Sequence, residues 1–139
     1  MRRAALAVCL IASGAACTVN RVAPVPTTVC SVVSEPHVYS RKVIEVRAFV
    51  VSDGRHLTLL KDASCKDIGI ALVINDDVWD SEGSVAIRRA LASQRFGAPS
   101  KQISGTFTGV FRLHPGEVPL RVLQTRAIKN VQIIDDGVS

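Results

Sequence analysis

The stretch KVIEVRAFVVSDG (42–54) alternates strictly, with Ile44, Val46, Ala48 and Val50 on one side and Glu45 and Arg47 on the other. A period of two makes it a half-buried strand, which commits the chain to a sheet with one apolar face. Asp53-Gly54 is a hairpin signal that ends it. The same period returns in HLTLLKD (56–62), where it turns Leu57 and Leu59 inward, and in GIALVIND (69–76), where Ile70, Leu72 and Ile74 share a face. Then the period changes. DSEGSVAIRRALASQRFG (80–97) carries Val85, Ile87, Ala90, Leu91 and Phe96 at three- to four-residue spacing. Ser81 or Ser84 caps its start and Gly97 closes it. Past Pro99, KQISGTFTGVFRL (101–113) alternates again. Ile103, Phe107, Phe111 and Leu113 share a face with Gly105 and Gly109, and glycines inside a strand signal bulges or a tight bend. LRVLQTRAIKNVQII (120–134) is the last strand.

Ahead of these, Val29, Val32 and Val33 recur at helical spacing, and Pro36 ends that turn. The order is therefore β-β-β-α-β-β with a short leading helix. This is the order of a five-stranded OB-fold-like Greek-key barrel, whose helix lies between strands three and four. An open α+β meander is the competing arrangement. Apolar residues make up 47% of the chain and aromatic ones only 4%, so the core must be aliphatic. The length suits one domain.

The N-terminus narrows the setting. Arg2 and Arg3 precede the apolar run Ala4–Ala12 and the small-residue patch SGAAC, the order of a secretory signal peptide over 1–16. The run is too short to span a bilayer, which takes about 20 apolar residues. GAAC (14–17) resembles the lipobox of bacterial lipoproteins, with Gly14 where that family usually has Leu. The resemblance implies that Cys17 is acylated and becomes the mature N-terminus. Thr18 after the cysteine, rather than Asp, implies an outer-membrane lipoprotein facing the periplasm. A plain cut after Ala15 or Ala16 is the alternative and would give a soluble periplasmic or secreted protein. Cysteine parity favours lipidation. Cys9 leaves with the leader, and lipidation of Cys17 leaves Cys30 and Cys65 as an even pair for a disulfide in an oxidising compartment. Residues 17–28, with Pro24 and Pro26, then form an extended tether, and 29–139 the domain.

The span CSVVSEPHVYSRKVIEVRAFVVSDGRHLTLLKDASC resembles the opening of small bacterial OB-fold-like envelope lipoproteins, in which P-x-x-Y precedes a strand of the type V-x-V-R-G. Pro36, Tyr39, Val46 and Arg47 match that pattern, and Ala48 stands where the family has Gly. SGTFTGVFRL resembles that family's fourth strand. The resemblance implies a fold and an address, and no reaction.

DGRHLTLLKDASC (53–65) gathers a His, acids, basic residues and a Cys, and it is the stretch that most suggests chemistry. Each member has a plainer explanation. Asp53 belongs to its turn, Asp62 and Asp67 suit Asx turns, and Cys65 pairs with Cys30. His37, His56, His114 and the cysteines form no close ligand pair, so no metal and no cofactor is expected. No phosphate loop or nucleophile motif occurs. The chain carries +5, and loses two of those charges with the leader, Arg2 and Arg3. The basic residues are scattered and lack interleaved aromatics, which argues against nucleic acid. The expected function is a binding or structural module for an envelope protein, peptide or oligosaccharide. Arg47, His56, Thr58 and Lys61 form its exposed polar set. The rivals are an enzyme using His56 with Asp53, Asp62 or Asp67, and an assembly partner with no small-molecule site.

Overall fold

The structure is a computed structural model that describes residues 22–52, 57–95 and 101–135. The expected signal peptide, Cys17, the Asp53–His56 turn and the helix-closing Phe96 and Gly97 lie outside the described residues. Within them the chain runs β1 (Val25–Thr27), α1 (Val29–Ser34), α2 (Pro36–Tyr39), β2 (Val43–Ser52), β3 (Thr58–Lys61), β4 (Ile70–Ile74), α3 (Glu82–Arg95), β5 (Lys101–Leu113) and β6 (Arg121–Asp135). The fold is mainly β. One six-stranded mixed sheet has the order β1-β2-β3-β4-β6-β5, and a further pairing of β2 with β5 joins it into a ring. β4 and β6 are parallel, whereas β2–β3, β3–β4, β2–β5 and β5–β6 are antiparallel.

β2 organises the ring. One of its edges pairs with β5 from Val43 to Val50. The other edge is shared: β1 takes Ile44–Val46 in parallel, and β3 takes Phe49–Ser52. The stretch expected as a tether through residue 28 is thus extended at Val25–Thr27, but it is also hydrogen-bonded into the sheet. Its prolines, Pro24 and Pro26, hid this, because proline in a segment argues against a strand except at an edge.

The alternation of β2 holds as expected, with Ile44, Val46, Ala48 and Val50 all buried. They meet Leu60, Ile70, Ile103, Phe107, Phe111 and Leu123 from the other strands in one core. The register of β3 differs from expectation. Leu60 is fully buried and pairs with buried Val50, while Leu59 is only half-buried and pairs with exposed Val51. Two adjacent leucines leave the parity of TLLK open, and the pairing with β2 decides it. A one-residue shift moves every side chain to the other face, so Thr58 turns inward with Leu60.

α3 buries Ser84, Ile87 and Ala90, and Ser81 caps it by accepting from the Ser84 N–H at 3.3 Å. Gly83 is the close-approach point. A Cβ there would lie 2.8 Å from the Ile128 carbonyl oxygen of β6. α1 seats Val29 and Val32 in the core, with Thr28 accepting from the Ser31 N–H at 3.0 Å as its N-cap. Pro36 does not simply end this segment. It opens α2 at the first turn, where a missing N–H costs nothing. Cys30 is bonded to Cys65, with Cα atoms 5.7 Å apart, so α1 is fastened to the short 3-10 turn Ala63–Cys65 between β3 and β4.

Arg41, between α2 and β2, has φ 65°, in the left-handed region that costs an L-residue about 1–2 kcal/mol. Its N–H donates to Phe111 O at 2.7 Å, so the conformation is fixed by the strand it joins. Arg41→Gly is expected to raise stability by up to about 1 kcal/mol, the strain relieved less the entropy glycine loses. A lower urea midpoint for that variant would mean that the Arg41 side chain contributes more than its backbone costs.

Candidate functional site

The outer face of the ring follows from the parity of β2. Glu45, Arg47, Phe49 and Val51 point away from the core. Lys61, Phe49 and Ser104 are direct cross-strand partners, and Ser104 pairs in turn with Gln132. Four strands thus each place one side chain in a single row. The flanking rows bring Arg47 beside Thr106, and Gln102 beside Ile134.

Two adjoining hollows of ≈ 460 and ≈ 490 Å³ share Phe49, Lys61, Asp62 and Gln102, and together they form one open groove over this face. Phe49 is its half-buried floor. Thr27, Thr28, Gln102, Ser104 and Gln132 supply hydroxyls and amides, groups that both donate and accept. Lys61, Lys66 and Lys101 line one half, and Arg47 joins Lys61 in the other. Lys101 is engaged with Asp135 at 3.6 Å. Asp62 lines both hollows, and its Oδ1 accepts from the Ser64 N–H at 2.9 Å. The groove therefore carries a surplus of positive charge over a ring face, with neutral hydrogen-bonding groups between them.

Of the expected polar set, Arg47 and Lys61 do come together. Thr58 does not join them. Its register turns it to a separate small hollow with Leu72, Ile74, Trp79, Ile87, Arg88 and Leu91, under α3. His56 and Asp53 lie outside the described residues. The proposed acids divide: Asp62 caps the Ala63–Cys65 turn and Asp67 is exposed. Among the described residues no three His, Cys, Asp or Glu side chains are grouped to hold a metal.

Sequence reasoning missed Phe49, Gln102, Ser104 and Gln132. Phe49 did leave a signal, since it is an aromatic on the same parity as Glu45 and Arg47. The other three are distant in sequence and reach Phe49 only through the pairing of β2, β5 and β6. Opposite this face, the Arg88 guanidinium stacks 4.1 Å from the Trp79 ring centre and donates to the Trp79 carbonyl at 2.8 Å. That pair fastens the middle of α3 to the turn before it.

Neither a family model, nor a curated protein, nor a solved structure is found to match the chain.

Proposed function

We propose that the chain is a lipid-anchored OB-fold module of the bacterial envelope that binds an acidic oligosaccharide across the groove over Phe49. The fold reading draws support from the ring order β2-β3-β4-β6-β5, with α3 between β4 and β5, which is the strand order and helix position expected of an OB-fold. The address draws support from the basic leader, the GAAC segment and the Cys30–Cys65 pairing that cysteine parity anticipated. The groove lies nearer the β2–β5 seam than the face of strands two and three that such folds commonly use.

The carrying observation is the row Lys61–Phe49–Ser104–Gln132. The C–H face of a sugar ring lies on an aromatic ring, its hydroxyls bond to amides and hydroxyls, and its carboxylates meet lysine and arginine. A second reading is an acidic peptide. It is favoured by exposed Val51 and Ile134 at the groove margin, which would take apolar side chains.

The test is an amide-shift titration by NMR, with acidic glycan fragments in one arm and acidic peptides in the other. Shifts should cluster on β2, β5 and β6 around Phe49. Phe49→Ala should weaken binding roughly thirtyfold, from about 2 kcal/mol for an aromatic anchor. Arg47→Ala should weaken it less and flatten its salt dependence. Shifts confined to the Trp79 side, or no shifts at millimolar concentrations of either probe, would sink the proposal.

A further inference from the structure

We propose that one end of the domain lies against the bilayer, with the β5–β6 loop seated in the headgroup region of anionic lipid. The proposal rests on the reading of Cys17 as the anchor.

Strand directions define the end. β1 enters beside the start of β2, with Val25 opposite Ile44. The last residues of β5 reach the same place, since the Arg41 N–H donates to Phe111 O and the Phe111 N–H donates to Lys42 O. β5 continues outward from there to Leu113, the His114–Leu120 loop follows, and β6 returns at Arg121 opposite Leu113. α2 leads to the same end, since its Tyr39 O accepts from the Lys42 N–H at 3.0 Å. The point where the chain enters the fold and the tip of the β5–β6 loop are thus at one end of the ring.

That end has an unusual surface. Val118 is 91% exposed, Val22 77% and Val38 51%, with Leu120 exposed beside them. Around them stand exposed Arg41 and Lys42 and the half-buried Arg112 and Arg121. Glu35 and Glu117 stand among them, with Glu117 3.7 Å from His114, and exposed Asp67 precedes β4, whose Ala71 pairs with Val122 at the start of β6. Apolar tips among cations are the composition that seats a surface on anionic lipid. Distance enforces the placement. Five residues carry the chain from Cys17 to Val22, at most about 18 Å when fully extended. An acyl group on Cys17 therefore keeps this end within about 18 Å of the anchor.

The full chain carrying Trp79→Phe and Val118→Trp, recovered from membranes, is reconstituted in vesicles of phosphatidylethanolamine and phosphatidylglycerol at 3:1 with brominated acyl chains. The unsubstituted chain is its comparison, because its single tryptophan, Trp79, follows the opposite end of β4. Emission from position 118 should fall at least about twofold relative to unbrominated vesicles, and emission from Trp79 should not change. Flotation with the vesicles and no quenching at 118 would show that the domain stands away from the bilayer, and the proposal fails while the anchor stands. Equal quenching at both positions overturns an oriented contact. A chain that does not float with the vesicles overturns the anchor, and the docking falls with it.

Discussion

A chain with both Cys30→Ala and Cys65→Ala is expected to unfold at a markedly lower urea concentration, having lost about 4 kcal/mol. The bridge spans 35 residues, and closing a loop of that length removes entropy from the unfolded chain. The folded side adds to the effect. α1 has six residues, too few to hold helical structure alone. It persists because Val29 and Val32 are buried, Thr28 caps it and Cys30 fastens it to the Ala63–Cys65 turn. Against a total stability of about 5–15 kcal/mol, such a loss moves a large part of the margin. The measurement is the urea midpoint of the double variant, with the slope checked for constancy. A loss under about 1 kcal/mol would show that the two valines alone keep α1 in place.

Gly109→Ala is expected to cost about 3 kcal/mol, at the upper end for overpacked sites. The cause is a register shift in the β5–β6 pair. Thr108 faces Ala127 and Gly109 faces Thr125, so Arg126 is the extra residue of a bulge on β6. The bulge presses the backbone of β6 against Gly109. An added Cβ would fall on the Gln124 carbonyl oxygen and within 2.8 Å of the Thr125 Cα. Backbone flanked on both sides by paired strands has little room to withdraw. Gly105, four residues earlier on the same face, is the internal control. A Cβ there meets its nearest neighbours at 3.4 Å, so Gly105→Ala should change the urea midpoint far less. Similar midpoints for the two variants would mean that β6 yields at Gln124, against the steric account.

The glycines also show where sequence reading succeeds. Gly105 and Gly109 at alternate positions of KQISGTFTGVFRL signalled bulges, and both register shifts of β5 adjoin them. Strict alternation likewise gave the inward face of β2, because Glu45 and Arg47 are too polar for the core. It failed at TLLK, where apolar residues occupy both parities and only the partner strand chooses Leu60. It was silent at β1, whose three residues take their order from hydrogen bonds to β2 and not from their own pattern. The groove was legible to the extent that its charges were. Arg47 and Lys61 were visible as exposed, but the amides of Gln102 and Gln132 meet Phe49 across strands more than fifty residues apart. No local period encodes a neighbour at that separation.

The parallel seat of β1 on β2 has a mechanical side. A chain held at its N-terminus and pulled from its ligand would transmit the load into Val25. Because β1 lies along β2, the pull slides one strand past the other and loads the hydrogen bonds of Val25–Thr27 together. If they yield, only the residues ahead of Cys30 pay out, for there the covalent link to Cys65 takes the strain. Fully extended, Val22 to Cys30 spans at most about 29 Å, and the length released is that figure less the distance these residues already cover, part of it as the extended β1. Thr27 and Thr28 line the groove over Phe49, so the same sliding would withdraw two hydroxyls from it.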